Sequence, residues 1–151
     1  MQDVNVLVVF CSRTGTTEKL ALAAAVGAVQ ARANIRLRWL PEAADDGTME
    51  GVPGWKENRE RMEKEYIAPR AVDAEWAHAI IIGAHGAPPE LKAYLGWLDA
   101  LRSEGKLDSK VGTAFIAVPS GDEPGAVENA RLEGRRVAEA ARTHNAAGAE
   151  V

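Results

Sequence analysis

Ser12, Thr14, Thr16 and Thr17 gather four hydroxyl groups around Gly15, between the apolar run Val6-Leu7-Val8-Val9-Phe10 and an Ala- and Leu-rich segment. Neutral hydroxyl donors beside a residue that lets the backbone come close are what a bound anion needs. A helix starting at Thr16 or Thr17 would add its unpaired first N–H groups and the positive end of its dipole. The chemistry available here is therefore the holding of a phosphate. Ser and Thr also collect at helix starts simply because they cap them, and spacing alone leaves that alternative open. Neither G-x-G-x-x-G nor G-K-[ST] stands at this junction, so a dinucleotide fingerprint and a nucleotide-hydrolysing P-loop are excluded there and a monophosphate fits better.

Few other residues have a spacing that points to chemistry. Cys11 is the one cysteine, which excludes an internal disulfide, and it reads as a small residue at the buried end of the first strand. With no fixed cationic partner in the nearby sequence, a nucleophilic or redox role for it has no support. The three histidines, His78, His85 and His144, lie far apart, so no metal site is expected. His85 falls just after the third apolar run, where an imidazole could donate a hydrogen bond or a proton; it could equally fill space in a short loop. His78 and His144 read as surface residues.

These residues need elements to position them. Val4 to Phe10 is apolar without alternation, as in a strand buried on both faces of a parallel sheet. Further strands are expected at Ile35 to Leu40, Ala79 to Gly83 and Val111 to Val118, separated by helical stretches in a β-α-β pattern. Helices are expected from Thr16 to Ala33, from Pro88-Pro89-Glu90 onward with Leu91, Tyr94, Leu95 and Leu98 at core spacing and Trp97 among them, and from Ala126 to Thr143. The connection from Pro41 to Asp73 is too long for a bare loop and reads as an insertion with a charged helix near Trp55 to Tyr66. Its Glu57/Arg61 and Glu60/Lys64 pairs, four apart, suggest a solvated face. The last residues, Ala149 to Val151, could make only a stub of a fifth strand.

At 151 residues the chain reads as a single domain, 1–151, with the 46% apolar and 26% charged residues of an ordinary globular protein. A net charge of −4 argues against a nucleic-acid partner. Leu20 to Val29 is too short and too Ala-rich for a membrane span, and with no basic n-region at the N-terminus a cytoplasmic location is expected.

Four stretches, in this order and spacing, resemble the flavodoxin-like NAD(P)H:quinone oxidoreductases, the WrbA-like group. They are Phe10 to Leu20; Asp73 to Gly83; Glu90 to Leu95 with Gly105-Lys106-Leu107 and Lys110-Val111-Gly112; and Ala130 to Ala138. The resemblance implies a flavodoxin-like doubly wound parallel α/β sheet of order 2-1-3-4, its fifth strand missing or vestigial, with ligands at the carboxyl ends of the strands. It also implies an enzyme that binds FMN and passes electrons from NAD(P)H to a quinone or related aromatic acceptor. Ser12, Arg13, Thr14, Gly15, Thr16 and Thr17 would hold the phosphate end, with Ala84, His85 and Gly86 and then Pro119, Ser120 and Gly121 along the ring, and His85 as the catalytic candidate. The chain departs from the family in two ring-side loops. Gly83 to Pro89 is short and lacks the usual Gly-Asn, and Pro119 to Gly125 keeps the third loop only in outline. A family Trp is replaced by Arg102. A shortened flavodoxin-like protein that has lost FMN and binds another small molecule, or serves in assembly, is the alternative. Finally, a fourth strand left at the sheet edge leads to the expectation of a homodimer or higher oligomer.

Overall fold

The computed structural model describes residues 4–11, 16–40, 55–84, 89–104, 113–117 and 125–149. Its elements are β1 (Val4–Phe10), α1 (Thr16–Gln30), β2 (Ala33–Trp39), α2 (Trp55–Glu65), α3 (Ala71–Trp76), β3 (Ala79–Ala84), α4 (Pro89–Ser103), β4 (Thr113–Ala117) and α5 (Ala126–Ala149). Among the described residues the strands form one sheet of order β2-β1-β3-β4, and every pairing is parallel. This is the expected order 2-1-3-4.

The unbroken apolar run of β1 is explained by what covers it. Val4, Val6, Val8 and Phe10 enter a core cluster with residues of α1 and α5, while Leu7, Val9 and Cys11 enter a second cluster with Ala74, Leu91, Tyr94 and Leu98 from α3 and α4. Successive side chains of a strand point to opposite faces, so a strand covered twice must be apolar throughout. At the sheet edge, β2 alternates instead. Ile35 and Leu37 pack on the α1 side, and Arg36 and Arg38 reach Asp73 on the other.

Two helix boundaries differ from the sequence reading. α1 stops at Gln30 rather than Ala33, because Arg32 adopts a left-handed backbone (φ 65°) and Ala33 already belongs to β2. α5 continues to Ala149, beyond Thr143. Its last turns are rich in alanine and carry no proline, so nothing stops the helix there. Ala149 is thus helical and not part of a strand stub; 150–151 lie outside the described residues.

Within the insertion the charged helix forms as expected, but its face is not all solvated. Met62 is buried, and Arg61 reaches across to Glu18 of α1. The short helix α3 follows, which the sequence reading did not separate from its surroundings. His78, read as a surface residue, is half-buried: its Nδ1 accepts the Asn5 backbone N–H at 2.9 Å, and its own N–H donates to the Asn5 carbonyl at 2.7 Å. Among the described residues no helix is long and apolar enough to cross a membrane.

Candidate functional site

The carboxyl ends of β1 and β3 lie side by side, and the end of β1 is pinned on both flanks. The Phe10 carbonyl accepts the Leu40 N–H at 2.8 Å, and the Cys11 N–H donates to the Gly83 carbonyl at 3.0 Å. From β1 the chain crosses through α1 to β2 on one side; after β2 it returns to β3 on the other side. The crevice between β1 and β3 is therefore the switch point of the sheet, where open α/β sheets take their ligands.

α1 starts at Thr16, so the first-turn N–H groups, which have no carbonyl partner within the helix, belong to the same end of the sheet. Thr17 is buried there. Its Cγ2 lies 3.5 Å from where a Cβ on Gly83 would stand, with Phe10 Cβ at 3.8 Å, so this threonine sits beside the ends of both strands. Ala84 closes β3 with its side chain inside the core cluster on the α3 and α4 side, which leaves only its backbone to meet a ligand. Thr16, Thr17 and Ala84 are thus brought to one end of the sheet. Ser12, Arg13, Thr14, Gly15, His85, Gly86, Pro119, Ser120 and Gly121 lie outside the described residues.

The first turn of α1 also carries Glu18, a buried carboxylate. Arg61 of α2 grips both its oxygens, Nη1 donating to Oε2 at 3.0 Å and Nη2 to Oε1, and the Tyr66 hydroxyl donates to Oε2 at 2.6 Å. Burial by itself would raise the Glu18 pKa; the hydrogen bonds from Arg61 and Tyr66, with the guanidinium charge, outweigh it and hold the carboxyl below its ordinary range. Burial, and then the adjoining Glu18 carboxylate, push the Tyr66 phenol up. The Tyr66 ring meets Phe10 edge to face, with centroids 5.0 Å apart. Sequence reasoning missed this trio. One signal was available: Glu18 is the third residue of a helix beginning at Thr16, a position where a carboxylate usually turns back to its own cap.

A second charged group lies across the sheet. Asp73 is wholly buried, accepts the Arg70 backbone N–H at 2.8 Å, and pairs with Arg36 at 3.0 Å and with Arg38 at 3.0 Å and 3.2 Å. The Arg36 guanidinium stacks 4.3 Å from the centre of the Trp76 ring. This group ties α3 to the edge strand.

No family model matches the chain. It is 35% identical over 118 residues to a protein of Deinococcus radiodurans named NAD(P)H dehydrogenase (quinone), a match covering 76% of this chain and 58% of the relative. A protein of the same name from Archaeoglobus fulgidus is 32% identical over 117 residues, covering 75% of this chain and 61% of the relative. The chain thus spans about three-fifths of the length of these curated relatives. Among solved structures, a Streptococcus pneumoniae flavodoxin superimposes with a TM-score of 0.54 at 12% identity, over 91% of this chain and 99% of the flavodoxin. The fold is that of a flavodoxin.

Proposed function

Since the chain is a flavodoxin-like homologue of the NAD(P)H dehydrogenases (quinone), we propose that it binds FMN and transfers electrons from NAD(P)H to a quinone or related aromatic acceptor. The observation that carries this reading is the start of α1 beside the pinned end of β1, at the switch point of the sheet. The described residues fit the phosphate end of such a cofactor: first-turn N–H groups and the buried Thr17 beside the ends of β1 and β3. Ser12, Arg13, Thr14, Gly15 and Thr16 complete the proposed cradle. Ala84, His85 and Gly86, with Pro119, Ser120 and Gly121, are proposed along the ring.

When bound, FMN would supply the two-electron chemistry; the protein's part is to bind it, orient it and keep water from its reactive face. His85, the residue after β3, is proposed to donate a proton to the acceptor oxygen. The test is a titration with FMN followed by absorbance and flavin fluorescence, then NAD(P)H oxidation with a benzoquinone. Saturable binding is expected, with a rate above that of free FMN, and His85→Ala should lower the rate while leaving FMN bound. Replacing Thr14 and Thr17 together by Val should weaken FMN at least about tenfold, since a hydrogen bond to a charged group is worth roughly 1.5–3 kcal/mol. Absence of binding would transfer support to a flavodoxin-like protein that has lost the cofactor.

A further inference from the structure

The connection between β1 and α1 is held at both of its ends by one segment of the insertion. At one end Phe10, the last residue of β1, receives the edge of the Tyr66 ring at 5.0 Å and an interplanar angle of 83°. At the other end Glu18, in the first turn of α1, receives the Tyr66 hydroxyl at 2.6 Å and the forked guanidinium of Arg61. Tyr66 itself is fixed to α2 through its N–H, which donates to the Met62 carbonyl at 2.9 Å, and Met62 is buried in the core cluster that contains Phe10. The next residue, Ile67, accepts the Trp39 N–H at 3.0 Å, so the segment is also stitched to the end of β2. One aromatic residue thereby bridges the strand end to the helix start.

The charges have a consequence of their own. The first turn of a helix favours an anion through its free N–H groups and dipole. A buried carboxylate at Glu18 opposes that, and little water reaches it to screen the repulsion. Arg61 answers the Glu18 charge at close range while also hydrogen-bonding Glu65 on its own helix at 2.6 Å.

We propose that Arg61 and Tyr66 are positioning residues for the anion site at the start of α1: they fix the spacing of Phe10 and Glu18, and Arg61 neutralises the Glu18 carboxylate, which would otherwise repel a phosphate. The proposal rests on the flavin reading above and gives the insertion a task in it.

The experiment compares FMN with riboflavin, which lacks the phosphate, on wild type and on Arg61→Ala, Arg61→Lys, Tyr66→Phe and the double variant Arg61→Ala/Glu18→Gln. Hydrogen exchange of the free proteins over residues 8–20 is followed in parallel. Expected for Arg61→Ala is a fivefold or greater loss of FMN affinity, with riboflavin affinity unchanged within twofold. Arg61→Lys should recover part of that loss. The double variant should recover most of it, because the uncompensated charge is gone. Tyr66→Phe, which keeps the ring on Phe10 and removes only the hydroxyl, should speed exchange at the Glu18 end and spare the Phe10 end. Equal weakening of FMN and riboflavin, or a double variant no better than Arg61→Ala, would overturn the charge role. Unchanged exchange in both Tyr66→Phe and Arg61→Ala would overturn the anchoring role. Should wild type bind neither flavin, the flavin reading fails and the charge role falls with it, while the exchange measurement still decides the anchoring.

Discussion

Among the described residues, Asp73 and Glu18 are the two buried carboxylates, and their company makes their charge tolerable. Asp73 has guanidinium groups from Arg36, Arg38 and Arg70 around it, and Glu18 has Arg61 and the Tyr66 hydroxyl. For both, burial pulls the pKa upward, and the hydrogen-bonded arginines overcome it and leave the carboxyl below its ordinary value, 3.8 for Asp73 and 4.5 for Glu18. A depressed folded pKa means that the unfolded chain takes up protons first as pH falls. The stability these groups contribute is therefore complete above pH 4.5 and is lost progressively as pH drops through 4.5 and 3.8 toward their folded values. Urea unfolding at pH 6 and at pH 3.5 should show a clear drop in midpoint. Asp73→Asn should begin lower at pH 6, since stripping one partner from a buried pair costs about 3 kcal/mol, and should then fall less steeply. A wild-type midpoint that does not move between the two pH values would refute the assignment. Exposed pairs such as Glu128 with Arg131 belong to the same pH range but are screened by solvent and add little.

At the scale of elements, α1 and α5 approach closely, and two glycines set the contact. A Cβ on Gly27 would lie 1.8 Å from the Arg131 carbonyl oxygen, and one on Gly134 would lie 1.9 Å from that of Ala24. Both obstacles are helix backbone, so only a separation of the helices could relieve them. Gly27→Ala or Gly134→Ala should each cost about 3 kcal/mol, the upper part of the range for overpacking. Gly96→Ala, on α4 with open space around the new methyl, should instead gain up to about 1 kcal/mol from helix propensity. Thermal midpoints of the three variants check the contrast, and a tolerated Gly134→Ala would mean the helices pack less closely than described.

What was legible in the sequence follows the range of the forces involved. The bounds of β1 could be read because its neighbours on both faces demand an unbroken apolar run. The end of α1 could not, since Arg32 enters the left-handed region without being a glycine or asparagine. The helix α3 has six residues and depends on Asp73 meeting Arg36 and Arg38 of β2, partners far away in the chain. The hydroxyls at Thr16 and Thr17 carry the expectation of an anion site in the local sequence. Arg61 and Tyr66 announced nothing, because their partners Glu18 and Phe10 come from elements more than 40 residues earlier.

For the whole molecule, the two margins of the sheet are finished differently. Beside β2, the Trp39 N–H donates to the Ile67 carbonyl, so the segment after α2 covers the strand's end. Beside β4, the described residues place β3 on one side and no strand on the other. A strand edge with free N–H and C=O groups is a template for pairing. We therefore propose that two copies associate along β4, related by a two-fold axis that would set their fourth strands antiparallel and extend the sheet across both. A stable pairing of this kind needs roughly 800 Å² buried on each partner, more than a short strand supplies, so the helices flanking β4 must contribute. Sedimentation equilibrium at micromolar concentration should return twice the mass of one chain, and isotope-edited spectra should show amides of 113–117 protected from exchange. If the mass is that of one chain and the same amides are protected, the edge is covered from within, and the dimer must be abandoned.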